Sequence, residues 1–234
     1  DDCQNLVKMA FADKELNELV SLSSANSINI ARLIPQTFYY FYAYAQMRPR
    51  SPPPIFSVPS GNFGNLTAGL IAMRMGLPVA RFIAATNAND IVPQFLETGH
   101  YRPQPSKHTL SNAMDVGNPS NFARMLDLYQ YNHQHMIQDI VGESFTDEQT
   151  KKAIEELYSK YGYIADPHGA VAYLGLINYQ KKNPSNYPGV FLETAHPAKF
   201  ADIVQPLIHR DVQIPERLKR AFEQEKQTIE LPNR

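Results

Sequence analysis

Six residues in the run IFSVPSGNFGNLTAG, residues 55–69, have the types and spacing to hold an anion: Ser60, Gly61, Asn62, Phe63, Gly64 and Asn65. They stand between an apolar strand-like stretch and a helix-like one. A helix N-terminus carries unpaired N–H groups and partial positive charge, which together favour a phosphate. Glycines let the backbone turn several N–H groups toward one point, and Asn62 and Asn65 bring amide donors. No Lys-Ser/Thr pair comes after them, so this is not a nucleoside-triphosphate loop. Gly61 and Gly64 also lack the Gly-x-Gly start of the dinucleotide fingerprint. The plain alternative is a tight strand-to-helix turn with no ligand.

Two further groups could do chemistry. Ser27, Asn29 and Arg32 form a compact set of donors in NSINIARLIPQ, and an arginine fork suits phosphate oxygens. Without a ligand, Arg32 is a solvated arginine at a helix start. Thr194 comes after the apolar run VFLE at 190–193, where an α/β sheet would place a ligand contact, but a threonine there also suits a helix N-cap. Asn87 and Asp90, after a second apolar run, could face the site or cap a helix, and read as helix-capping residues. His133 and His135, two apart, do not share a helix face and make a poor metal pair. His168, inside a helix start, and His196, in the Thr194 turn, read as structural.

The elements that must position these residues are legible as alternating patterns. Residues 2–20 read as a helix and 21–29 as a polar loop. Residues 31–47 are apolar and aromatic, with the rings expected in the core. RPRSPPP, at 48–54, is a surface connection. Strands are expected at 55–59, 79–85 and 190–193. Helices are expected at 66–75, from near Asp90 to Gly99, and over 122–139. Thr146 and Gln149 form a capping box for a helix that ends at Gly162. Asp166-Pro167 opens another helix. A further helix carries Phe200, Ile203, Val204 and Leu207 on one face, and the tail from Glu216 is charged and helical. Strand–helix alternation at this spacing predicts an α/β fold with a parallel sheet flanked by helices.

Bulk properties narrow the function classes. The chain has 234 residues, 43% hydrophobic, enough for a sizeable core. Lys+Arg is 22 and Asp+Glu 23, so the net charge is −1 and there is no basic excess to displace nucleic-acid counterions. No apolar run reaches the roughly 20 residues that span a bilayer. A single cysteine, Cys3, allows no internal disulfide or cysteine-based zinc site and points to a cytoplasmic setting. Asp1 leads straight into a helical pattern, so the chain reads as beginning in mid-protein.

Four segments carry a resemblance. The stretch SVPSGNFGNLTAGLIAMRMGLPVARFIAATNAND, which contains the phosphate loop, resembles the corresponding stretch of the threonine synthases, a family of fold-type II pyridoxal-phosphate enzymes. DDCQNLVK resembles that family's TFDDCQ segment, NSINIARLIPQ its substrate-phosphate loop, and ETAHPAKF the segment that gives a hydroxyl to the cofactor ring. All four occur in family order, from Asp1 to about Phe200.

The resemblance implies the fold-type II architecture, incomplete at the N-terminus. Residues 1–50 would be the remainder of a smaller domain and residues 51–234 the larger α/β domain. It implies pyridoxal 5'-phosphate as cofactor. Gly61, Asn62, Phe63, Gly64 and Asn65 would lie on its phosphate and Thr194 at its pyridine nitrogen. Ser27, Asn29 and Arg32 would hold the substrate phosphate. The implied reaction of the full-length protein turns O-phosphohomoserine and water into threonine and phosphate. The family's Schiff-base lysine lies in a Phe-Lys-Asp context upstream of TFDDCQ. No lysine here, Lys199 included, has those neighbours, so this chain alone is expected to be inactive and to need the N-terminal part of the same protein as partner. Two rivals remain: another fold-type II lyase such as a threonine dehydratase, and a non-catalytic module that binds a phosphorylated metabolite.

Overall fold

A computed structural model describes residues 2–25, 29–47, 51–225 and 228–229. Its centre is a sheet of four parallel strands among the described residues: β1 (Ile55–Pro59), β2 (Arg81–Thr86), β3 (Ile140–Ser144) and β4 (Gly189–Phe191), in the order β3-β2-β1-β4. Ile55 pairs with Arg81 on one side and Gly189 on the other, and Phe82 pairs with Ile140. The two central strands are apolar almost throughout because helices cover both faces, as a parallel sheet requires.

Side-chain alternation sorts the two faces. Phe56, Val58, Phe82 and Ala84 point one way, into a core with Tyr40, Leu66 and Leu70. Ile55, Ile83 and Ala85 point the other way, against Val171 and Leu176. Ser57 shares that second face, and its hydroxyl is satisfied by donating to the Ala172 carbonyl at 2.6 Å. Each large apolar side chain sealed here contributes about 1.5–3 kcal/mol. Phe56 and Phe82 stack 6.0 Å apart, with Tyr40 edge-on to both.

The first face is covered by α4 (Gly64–Arg74), which links β1 to β2, and by α3 (Thr37–Ala45) lying on it. The second face is covered by α9 (Pro167–Lys182). Between β2 and β3 run α5 (Ile91–Thr98), α6 (Phe122–Leu128) and α7 (His133–Asp139). The Thr146–Gln149 capping box opens α8 (Asp147–Tyr161), both reciprocal bonds are made, and Gly162 ends it in the left-handed region at φ 65°. A 3-10 turn (Pro197–Phe200), α10 (Ala201–Ile208) and α11 (Glu216–Phe222) follow β4.

Several expectations need correction. The 2–20 helix is two helices, α1 (Asp2–Ala12) and α2 (Lys14–Leu19), because the Asp13 side chain accepts from the Leu16 N–H and starts the second. Residues 122–139 also split. Gln130 and Tyr131 take φ 51° and 59°, and Asn132 caps α7 anew. Strand β3 is absent from the expected strands, since its chain passes directly from the α7 C-cap at Ile140 into the ladder with no turn residue between. The aromatic stretch is only half core: Tyr40 is sealed, whereas Phe38 and Tyr42 are more than 60% exposed.

Candidate functional site

The sheet order creates a crevice. From β1 the chain moves outward to β2 and then β3, and β4 returns to the opposite side of β1. Ligands of open α/β sheets lie beyond the strand C-termini at such a reversal. The segments that leave β1 and β4 are the 61–65 loop and residues 192–194. Both line one cleft of about 580 Å³, together with Arg32, Gln36, Tyr39, Ala113, Met114 and His168. That volume suits a small ligand.

The 61–65 loop is built tightly. Ser60 N–H donates to the Ala85 carbonyl at 2.8 Å, and its hydroxyl folds back onto the Val58 carbonyl. A Cβ at Gly61 would lie 2.7 Å from Met114 Cα and 2.8 Å from the Ala113 carbonyl oxygen. Gly61 is therefore needed for close approach. The left-handed turn falls on Phe63, at φ 61°, and not on either glycine. Burial of the Phe63 ring in the core offsets that strain.

The asparagines brace the loop. The Asn65 amide donates to the Pro59 carbonyl at 2.7 Å, and its oxygen accepts from Leu66 N–H. Asn62 Oδ1 accepts from both the amide and the hydroxyl of Ser120. The N-cap residue Phe63 offers no side-chain acceptor, and with Leu66 N–H taken by Asn65, the amides of Gly64 and Asn65 at the start of α4 keep their capacity for an outside anion.

Thr194 is exposed on the facing wall. The capping role that competed for it belongs to His196, whose Nδ1 accepts from Ala198 N–H at 3.1 Å. Arg32 stands on the cleft and donates to the Ala25 carbonyl, and Gln36 donates back to the Arg32 carbonyl. Asn29 caps the 3-10 turn Ile30–Arg32, accepting from Ala31 N–H and donating to the Ser24 carbonyl. Ser27 lies outside the described residues. Asn87 does not cap α5. It is buried and ties Thr109, Ser111 and Asp115 to the end of β2, which steadies the segment carrying Ala113 and Met114. His133 faces the Phe95 and Leu96 carbonyls at 3.1 Å.

Sequence reasoning does not single out Asp166 and Glu193 as a pair. His168 Nδ1 lies 2.5 Å from Asp166 Oδ1, and His168 Nε2 accepts from Ala113 N–H at 3.3 Å. Burial works against the Asp166 anion. Hydrogen bonds from the His168 ring, from Glu193 and from the His168 amide outweigh it and hold its pKa below the usual range. Burial first, then the bond to Asp166 and its charge, pushes Glu193 up to about 10. The opposed shifts favour the neutral acid at Glu193 and the anion at Asp166. Only the side-by-side placement of α9's first turn and the β4 exit reveals the pair, since the two residues are far apart in sequence.

The arrangement fits pyridoxal phosphate. A helix N-terminus with amides open to a phosphate and a neutral hydroxyl line the same cleft, which are the kinds of group that the two polar ends of that cofactor need. The family model described as pyridoxal-phosphate dependent enzyme matches residues 1–192, and one described as threonine synthase, C-terminal, matches residues 169–234. A threonine synthase from Haemophilus influenzae is 46% identical over 94% of this chain and 51% of its own length. The solved threonine synthase from Escherichia coli superposes with a TM-score of 0.86 at 45% identity, over 95% of this chain and 51% of that one. A PLP-bound threonine synthase from Brucella melitensis gives 0.85 at 35% identity, over 100% and 55%. A threonine deaminase from Solanum lycopersicum, at 15% identity and a TM-score of 0.55, shares the fold alone. The chain spans about half the length of the curated relatives it matches. With cleft geometry and a family model covering most of its length in agreement, the chain belongs to the pyridoxal-phosphate dependent enzymes.

Proposed function

We propose that this chain is the portion of a threonine synthase that holds the cofactor phosphate, the cofactor ring nitrogen and the substrate phosphate. The observation that carries the reading is that the 61–65 loop and Arg32, two separate groups of donors suited to an anion, line one cleft. A cofactor phosphate needs one of them. The second suits a substrate that is itself a phosphate ester such as O-phosphohomoserine, which favours this reading over a threonine dehydratase.

Pyridoxal phosphate, when bound, supplies an electron sink beside the reacting carbons. The chain's own groups do the rest. Amides of the 61–65 loop orient the cofactor phosphate, and the Thr194 hydroxyl meets the ring nitrogen without protonating it as a carboxylic acid would. Arg32, with Ser27 and Asn29, grips the substrate phosphate and steadies its charge as it leaves. The lysine that anchors the cofactor is supplied by the part of the protein corresponding to the relatives' other half. In the same reading residues 1–50 complete the smaller domain of the whole enzyme and residues 51–234 form its larger one, in the cytoplasm.

Arg32→Ala in the full-length protein is the test. Loss of a charge-assisted pair should lower kcat/KM for O-phosphohomoserine by about 1.5–3 kcal/mol of transition-state stabilisation, read as released inorganic phosphate. Cofactor affinity, read by absorbance, should hold. Equal loss of both would move Arg32 to the cofactor site, and turnover of threonine but not of phosphohomoserine would favour the dehydratase. Borohydride reduction of this 234-residue chain with pyridoxal phosphate should leave no stoichiometric lysine adduct. A single adduct together with turnover would overturn the division of labour.

A further inference from the structure

Both carboxyl oxygens of Glu193 are buried, as is Oδ2 of Asp166, and with both groups ionised no hydrogen bond of ordinary geometry reaches any of the three. Two unpaired buried carboxylates side by side are untenable, and one proton relieves the pair: a Glu193 O–H donating to Asp166 Oδ2 satisfies two of the three oxygens, and the Tyr163 hydroxyl faces the Glu193 carboxyl from the other side. Asp166 is in turn fixed by its other oxygen, which accepts from the His168 ring at 2.5 Å and the His168 amide at 2.8 Å. The space for the Glu193 carboxyl exists because residue 169 is glycine, since a methyl there would collide with it. Glu193 is the residue immediately before Thr194.

We propose that Glu193 is a positioning residue which, as a neutral carboxylic acid seated over Gly169 and bonded to Asp166, locks the exit of β4 so that Thr194 faces the 61–65 loop. Leu192 and Ala195 pack against the core on either side of Thr194, but the sheet ladder does not reach it. The last ladder bond is Leu192 N–H to the Ser57 carbonyl at 3.0 Å, and Thr194 lies beyond that. The clamp ties this free end to the start of α9. That helix is anchored to the sheet by the Ser57–Ala172 bond and, through His168, to the Ala113 amide on the cleft wall. Ionisable groups facing Glu193 are Asp166 and His168 at the α9 start, and Tyr161, Tyr163 and Tyr173 around the hollow on its other side.

The inference rests on the assignment of Thr194 to the cofactor ring. Its test is retention and absorbance of pyridoxal phosphate in the full-length protein, with Glu193→Gln, Glu193→Ala and Gly169→Ala. Gln keeps a neutral donor to Asp166 and should preserve both readouts. Ala removes the donor, and Gly169→Ala expels the carboxyl. Each should shift the absorbance of the bound cofactor and weaken its retention by about tenfold. Should Glu193→Ala fail to fold, the contrast between Gln and Gly169→Ala decides. Unchanged spectra in Ala or Gly169→Ala, or a Gln variant as impaired as they are, would overturn the clamp. Failure of the threonine synthase reading looks different: the Gln–Ala split in cofactor retention would persist while phosphohomoserine was not consumed.

Discussion

Gly61 and Phe63 divide the work of the phosphate loop in a way their residue types conceal. The glycine is needed because backbone of the 113–114 segment presses on it, and the strained turn is taken by a phenylalanine whose ring is sealed in the core. Gly61→Ala should therefore destabilise the chain by about 1–3 kcal/mol, since the opposing atoms are backbone and yield poorly. A shift in the urea midpoint at constant slope would show it. Glu193 gives a second residue-scale expectation. Its folded pKa, about 10, lies above the ordinary 4.5, so the folded chain binds a proton that the unfolded one releases. Stability contributed by this group is complete below the ordinary value and is lost as pH rises toward 10. Asp166, held low, acts in the opposite sense only on the acid side. Urea midpoints from pH 5 to about 10 should thus fall, and Glu193→Gln should flatten that slope. An unchanged slope would show that Glu193 is ionised in the fold.

At the scale of elements, local chemistry that completes itself within a few residues was the most legible. The capping box at Thr146 and Gln149 and the Asp166-Pro167 start name their own helices, and both hold. Thr146→Ala should cost about 1 kcal/mol, read as a lower midpoint of thermal unfolding. Strand β1 and the loop after it were readable for the same reason, because apolar strand, glycine and helix succeed one another directly. Elements whose identity depends on distant partners were not. β3 is a strand only because β2 offers it a ladder, and the 122–139 stretch breaks where Gln130 and Tyr131 reverse the chain. Among site residues, Asn87 looked like a cap because its partners, Thr109 to Asp115, lie beyond any local window. Thr194 suits a helix N-cap in its local window, and the structure gives that role to His196.

For the molecule as a whole, one stripe of side chains has no cover among the described residues. Ile34, Phe38 and Tyr42 are spaced four apart and stand exposed, on the same N-terminal segment whose Tyr40 faces inward. On the proposed reading, the part of the protein corresponding to the relatives' other half would cover this stripe, with Arg32 beside it. Addition of that part to this chain should protect Phe38 and Tyr42 from surface labelling, measured by mass spectrometry. Unchanged labelling in a complex that forms would place the junction elsewhere. Exposed apolar area of this kind also makes the isolated chain prone to self-association.

The strand order governs time as well as space. β1, β2 and β3 are neighbours in the order the chain is made, whereas β4 reaches β1 only after everything between them has been threaded past. Closing that long loop is slow and is rewarded last. During refolding, then, the amides of Phe82 and Ala84 should gain protection from hydrogen exchange before that of Leu192, which reports the β1–β4 seam. The phosphate loop takes shape with the early three strands, while Thr194 arrives with the latecomer. A half-built molecule of this kind would already offer its anion-binding turn to solvent while the wall opposite was still missing.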